Sequence, residues 1–349
     1  MKTTNAKKIF DAVGAQAVLT EQADLRQYLT GISTSFGYVL SDEKGNAFYT
    51  DTRYLEAASA ALKGTDIQVK NFEGSLENLL KGYKEVAVPL SVTLYPQYEK
   101  LKSMGLNIVD SNKAFTDAMS VKQSYELDFI KKACEITDKA FVSLLPRIKE
   151  GMSENEVAAE LEYLMRSYGA SGTSFSTIVG FGKNSSIPHH ETGEDKLKFG
   201  DIILIDYGCK VGGYCSDCTR TFLFGDDKKH GEFKKAYSRV LEAHMAAKEK
   251  ITDGVTGREA DAFARDYLRG FGLDKYFTHS LGHGIGINIH EYPMLSPKSL
   301  QVLKNGMVFS DEPGVYFEGN FGIRIEDTVT LYGGAVQSLT DSDKNLIIL

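Results

Sequence analysis

The chain has 349 residues, 42% hydrophobic and 25% charged, which excludes a disordered or fibrous protein and allows two domains with separate cores. A formal net charge of −7, with Lys and Arg scattered rather than clustered, gives no electrostatic footprint for nucleic acid or an anionic membrane, so a small or peptide ligand is expected. The opening "MKTTNAKKIFDAVGAQAV" lacks the apolar core of a secretory signal and no run approaches a membrane span, so a cytoplasmic protein with its four cysteines reduced is expected.

Residues 1–118 alternate short β-like runs ("QAVLT", "FGYVLSD", "DIQVKNF", "EVAVPL", "NIVDSN") with helical ones ("RYLEAASAALKG", "LYPQYEKLKSMG"), the order of a small α/β domain. It carries no cluster of metal-ligating residues, so it reads as a scaffold or gate. From "MSVKQSYELDF" onward the character changes to a long amphipathic helix, with Leu127, Ile130, Ala133, Ala140, Phe141 and Leu144 near helical spacing, and a second domain is expected over 119–349.

That second part repeats itself. "IKEGMSENEVAAELEYLMRSYG", starting at 148, aligns with "ITDGVTGREADAFARDYLRGFG", starting at 251. Each copy has a Gly and then a capping box, Ser153 with Glu156 and Thr256 with Glu259. Related turn-rich stretches follow, "FSTIVGFG" and "FTHSLGHG", and then a strand ending in an acid. An α+β domain with an internal pseudo-twofold repeat is expected. "GFGKNSS", within the first copy, fails the phosphate-loop pattern because Thr177 stands where its first Gly should be.

The acids fall on two hairpins. "DIILIDYG" and "YCSDCTRTFLF" flank "KVGG"; with the turn centred between Val211 and Gly212, Asp206 faces Asp217. "MVFSDEPGVYF" and "FGIRIEDTVTL" flank "EGN"; centred on Gly319, that hairpin sets Glu312 opposite Glu326. An acid pair on a strand is ordinarily a solvated face. Here Ile203, Leu204, Ile205, Val308 and Phe309 make the strands core elements, where unpaired like charge is costly, so something cationic is expected between the acids. "HSLGHGIGINIHEYP" adds His279, His283 and His290 between the two hairpins, and four carboxylates with one imidazole suit two divalent cations. His230 and His244 lie on a charged helical stretch and are expected to face solvent.

Three cysteines compete with the acids for the same stretch. On an extended strand Cys215 and Cys218 point to opposite faces roughly 10 Å apart, beyond disulfide reach and unable to share a metal, so the Cys-x-x-Cys spacing is accidental. Cys215 shares a face with Asp217, which leaves open whether it borders the site; Cys134, Cys209 and Cys218 read as small buried hydrophobes.

"IDYG" with "YCSDCTRT", "HSLGHGIGINIHE", "DEPGVY" and "GIRIEDT", in this order, resemble the pita-bread metallopeptidases, in particular the prolidase and aminopeptidase P group. "YLTG", "YTDTRYLEAA" and "VKQSYELDFIKKA" extend the resemblance over the amino-terminal domain and the first helix of the second. It implies a creatinase/prolidase-like domain over 1–118, a pita-bread catalytic domain over 119–349, a homodimer, and cleavage of the bond before proline in a dipeptide or short peptide. It implies a dinuclear site: Asp206 chelates one ion, His283 and Glu312 bind the other, and Asp217 and Glu326 bridge. It also sets His189, His279, His290 and Arg324 around the substrate, with His190 a neighbour that competes for the role of His189. Glu312 would then carry a proton, and His290 or His279 would stabilise the oxyanion. Hard carboxylate donors favour Mn2+, with Co2+ or Zn2+ as alternatives. Two other readings share the fold: a methionine-aminopeptidase-like exopeptidase, against which the amino-terminal domain argues, and a non-catalytic peptide-binding module. A metal-free creatinase-like amidinohydrolase is a further one; like the binding module, it is weakened by the complete set of five ligand candidates.

Overall fold

The computed structural model describes residues 4–225 and 230–349. The chain folds as two compact units, Met1–Met119 and Ser120–Leu349. Among the described residues no helix is long and apolar enough to cross a membrane.

The first unit is a mixed sheet with helices. Its strands are β1 (Ala17–Thr20), β2 (Tyr38–Asp42), β3 (Gly45–Thr50), β4 (Ile67–Asn71), β5 (Glu85–Val88) and β6 (Asn107–Asp110), in the order β4-β3-β2-β1-β5-β6. Its helices are α1 (Asn5–Val13), α2 (Ala23–Thr30), α3 (Leu55–Ala61), α4 (Leu76–Leu79), α5 (Tyr95–Ser103) and α6 (Asn112–Ser120). The β1/β2 and β2/β3 pairs are antiparallel and the other three parallel, each parallel crossover passing through a helix. Ala17, Leu19, Leu40, Val86, Val88 and Leu101 form its core. Strand β3 escapes the sequence reading because its apolar centre is only Ala47–Tyr49 between turn and polar residues; its hairpin with β2 makes it a strand.

The second unit is built twice. Helices α7 (Ser124–Leu144) and α8 (Glu154–Ser167) precede β7 (Gly172–Thr173), β8 (Ile178–Phe181), β9 (Asp201–Tyr207), β10 (Cys209–Val211), β11 (Tyr214–Cys215) and β12 (Cys218–Phe224). Helices α9 (Gly231–Lys250) and α10 (Gly257–Arg269) then precede β13 (Gly282–Gly284), β14 (Glu291–Leu295), β15 (Val308–Asp311), β16 (Gly314–Phe317), β17 (Phe321–Arg324), β18 (Asp327–Tyr332) and β19 (Ala335–Ser338). The first copy's sheet runs β12-β9-β8, and the second repeats that order as β18-β15-β13 inside β14-β13-β15-β18-β19. Both expected capping boxes form, at the starts of α8 and α10. Each copy has its own apolar cluster beneath the sheet, one around Ile203, Ile205 and Phe222, the other around Phe309, Ile325 and Val329. A bridge between Thr219 and Glu326 joins the copies at their seam.

The second hairpin has the expected register, Gly314↔Arg324 to Phe317↔Phe321, and the same pairing resumes at Asp311↔Asp327 beyond Glu312 and Glu326. The first does not. Lys210 pairs with Cys215 and Val211 with Tyr214, so the turn is Gly212–Gly213 and Asp206 faces Thr219 rather than Asp217. Both glycines have positive φ, 58° and 87°, the conformation of a two-residue hairpin turn that Val211 would resist. Asp217 instead sits in the break between β11 and β12.

His230 and His244 are buried, contrary to the solvent-facing expectation. His230 Nε2 lies 2.8 Å from the Gly200 carbonyl, and His244 sits on the apolar stripe of α9 with Tyr237, Val240 and Ala247.

Candidate metal centre

Asp206, at the end of β9, Asp217, at the β11–β12 break, and Glu312 and Glu326, at the breaks flanking the second hairpin, all line one cavity of about 880 Å³. His189, His190, His279, His283, His290 and Arg324 line the same cavity. The breaks matter: a carboxylate inside a ladder is fixed by the pleat, whereas one between strands can turn toward a shared centre.

His283 lies at the middle of the acids. Its Nδ1 is 3.2 Å from the Gly284 carbonyl, which calls for the proton there and leaves the Nε2 lone pair facing Asp217 (3.5 Å) and Glu312 (3.4 Å). Burial, then His290, pushes its pKa down to about 4, so the ring is neutral. A lone pair facing two carboxylates is unfavourable unless a carboxyl proton or a metal cation stands between them. Donor atoms of Asp217, His283 and Glu326 all lie within 4.8 Å of one another. Close chain approach builds this corner: a Cβ on Gly282 would stand 1.9 Å from the Ser310 carbonyl oxygen, and the Ser310 hydroxyl accepts from His283 N and donates to Glu312 Oε1.

The acids raise one another's affinity for protons. Burial, then Glu326 and Asp206, hold Asp217 well above the carboxylate range; burial, then Glu312 and Asp206, do the same to Glu326. Burial raises Asp206 although Arg324 opposes it, and raises Glu312 to about 8. Asp206 Oδ1 is buried without a hydrogen-bond partner among the described residues, while Oδ2 accepts from Arg324 Nη2 at 2.6 Å. Four carboxylates, one neutral imidazole and an orphaned carboxylate oxygen fit divalent cations, whose charge would offset that of the acids.

Two residues that the sequence reading did not assign hold this site together. Thr219 donates its hydroxyl to Glu326 Oε2 (2.6 Å) and accepts from Arg324 Nε (2.9 Å), bridging the two copies. Its signal was the Gly-Gly turn, which sets the register that puts it opposite Asp206. Tyr316, four residues after Glu312 in "DEPGVY", receives Arg324 Nη1 at 2.6 Å and lies 3.1 Å from His279 Nε2. His279 Nδ1 is 2.8 Å from the Ser280 carbonyl, so it carries the proton and Nε2 accepts from the tyrosine hydroxyl. Burial, then Arg324, lowers His279 to about 3 and keeps the ring neutral. His290 is exposed to the cavity with its ring 4.2 Å from that of His283. His189 is exposed beside it, and His190 turns to Glu154 (2.7 Å).

The cysteines stay apart from this centre. All four are buried and free; Cys209, Cys215 and Cys218 point their sulfurs at the carbonyls of Ala133, Ile287 and Glu326 respectively. Burial raises the Cys215 thiol to about 11, so it is not a thiolate at neutral pH.

A donor set of this kind at the seam of a duplicated fold is the chemistry of a divalent-metal hydrolase, and residues 128–332 match the model of metallopeptidase family M24. Residues 2–123 match the creatinase/prolidase N-terminal domain. The chain belongs to metallopeptidase family M24, with its pita-bread catalytic fold. It is 35% identical over 324 residues to the Xaa-Pro dipeptidase of Pyrococcus furiosus, covering 92% of each chain. Its structure resembles an Xaa-Pro dipeptidase from Bacillus anthracis (TM-score 0.93, 34% identity, 99% of each chain). It also resembles an X-Pro aminopeptidase from Thermotoga maritima (TM-score 0.90, 33% identity, 98% of this chain and 99% of that one).

Proposed function

We propose that the protein hydrolyses the bond preceding proline at the amino terminus of dipeptides or short peptides. Two divalent ions, Mn2+ first and Co2+ or Zn2+ as alternatives, would be held by Asp206, Asp217, His283, Glu312 and Glu326. A domain boundary at 118/119, a homodimer and a cytoplasmic location belong to the same proposal. The observation that carries it is the convergence of Asp217, His283 and Glu326 donor atoms in a cavity also lined by Asp206 and Glu312, in a chain whose relatives bear Xaa-Pro names.

Bound there, the ions would lower the pKa of an attacking water and polarise the scissile carbonyl. The chain's own groups do the rest. Glu312 Oε1 is engaged by the Ser310 hydroxyl, which leaves Oε2 to take the proton of the water and pass it to the departing proline nitrogen. Of the two imidazoles considered for the oxyanion, His279 has both ring nitrogens occupied, by Ser280 and Tyr316, so the geometry favours His290 as donor. Arg324 and His189 remain for the substrate's polar ends. Side-by-side hydrolysis of an Xaa-Pro dipeptide and an Xaa-Pro tripeptide, with and without added Mn2+ after exhaustive chelation, tests the reading. Cleavage of neither, or full activity in protein shown by elemental analysis to be metal-free, would defeat it.

A further inference from the structure

Glu154 is the first residue of α8 and is fully buried, yet it takes no part in the capping box, which Ser153 and Glu156 complete. The duplication supplies a comparison. The aligned position in the second copy is Gly257, the first residue of α10, where Thr256 and Glu259 form the same box with no side chain at that position. There the Met294 carbonyl oxygen occupies the space, 2.1 Å from where a Cβ would stand. The helix start therefore needs no acid at this position.

In the first copy the acid serves the chain around it. Oε1 accepts from Phe181 N and Asn184 Nδ2, both at 2.9 Å. Oε2 accepts from Gly193 N at 3.0 Å and pairs with His190 Nε2 at 2.7 Å. One carboxylate thus closes both ends of the segment 181–193, which presents His189 to the cavity. The same segment touches the hairpin that carries Arg324: Ser185 and Ser186 hydroxyls accept from Gly322 N and Gly319 N, and the Pro188 carbonyl accepts from Arg324 Nη1 at 3.4 Å.

We propose that Glu154 is a positioning residue for the substrate side of the cavity, holding His189 directly through its segment and Arg324 through Ser185 and Pro188. This rests on the substrate-side roles proposed above for His189 and Arg324. Glu154→Gln is nearly isosteric, and its amide would set N–H groups against the Gly193 N–H, opening one end of the segment.

In the metal-loaded full-length protein, Glu154→Gln is expected to keep wild-type metal stoichiometry, raise KM about tenfold and change kcat less than about threefold. Hydrogen exchange at the Phe181 and Gly193 amides should quicken. Wild-type KM and exchange would overturn the proposal, as would a fall in kcat with lowered Tm and unchanged KM, the mark of a merely structural role. Should Glu154→Gln not fold, Asn184→Ala, which removes a partner of Oε1 outside the cavity lining, is expected to raise KM and exchange in the same direction; no change in either overturns it. If the wild-type protein cleaves no Xaa-Pro peptide, the proposed function fails, and the exchange measurement still decides whether Glu154 closes the segment.

Discussion

His244 stands between Asp311 and Asp327, its Nδ1 3.2 Å from one carboxylate and its Nε2 3.5 Å from the other, with all three side chains fully buried. The two aspartates face each other across β15 and β18, where like charge is destabilising without a cation. Asp327 has Arg220 and Lys344 as well, whereas both oxygens of Asp311 lack hydrogen-bond partners among the described residues and have His244 as their cation. Burial alone would lower the imidazole pKa, but Asp311 and then Asp327 raise it from 6.5 to about 9. A folded value above the unfolded one gives stability that is full below pH 6.5 and lost as pH rises through about 9. His244→Gln should therefore cost about 3–5 kcal/mol in urea unfolding at pH 6.5, with the gap to wild type shrinking by about pH 10. An equal gap at both pH values would contradict the charged clasp.

Metal and protons should compete for the acid cluster. In metal-free protein the raised carboxylates contribute stability at low pH that is lost as pH climbs through their folded values, about 8 for Glu312. The rise in Tm on adding Mn2+ should thus be larger at pH 8 than at pH 6, and addition of the ion to unbuffered protein should release protons. A pH-independent rise would argue against ligation by these groups.

The histidines should separate by role. His283→Ala is expected to lose bound metal together with turnover, because its Nε2 faces two of the acids. His290→Ala should keep both ions and lower kcat by about 10²- to 10³-fold if it donates to the oxyanion. Metal stoichiometry beside kcat and KM for the two variants checks this. Metal lost from His290→Ala but kept by His283→Ala would reverse the assignment.

Replacing Cys209 and Cys218 together with Ala should leave metal content unchanged. Their sulfurs point at the Ala133 and Glu326 carbonyls, not at the acids. Loss of one metal equivalent from a folded double mutant, measured by elemental analysis, would make a thiolate a ligand after all.

The duplication was legible because both copies write it in local chemistry: two capping boxes, two helices and two strands ending in acids. The second hairpin was legible too, since one glycine, Gly319, stands at its centre. The first was misread by two residues because "KVGG" offers two turn positions, and only the paired positive φ of Gly212 and Gly213 chooses between them. His244 was misjudged from its charged neighbours, although spacing from Tyr237 and Val240 puts it on the buried stripe of α9. Tyr316 was invisible as a site residue because it acts by hydrogen bonds to Arg324 and His279, which no local pattern records, whereas Thr219 was hidden only by the misplaced turn that sets its register opposite Asp206.

The seam between the copies bears on how the protein is made. Asp206 and Asp217 leave the ribosome well before Glu312 and Glu326, by on the order of ten seconds at about 5–20 residues per second. Until then the first copy has no second copy to meet, and the Thr219–Glu326 bridge cannot form. A growing chain therefore carries half an acid cluster with nothing to complete it, and a peptidase assembled from two such halves cannot act on the nascent chains around it before its second pair of acids has been made.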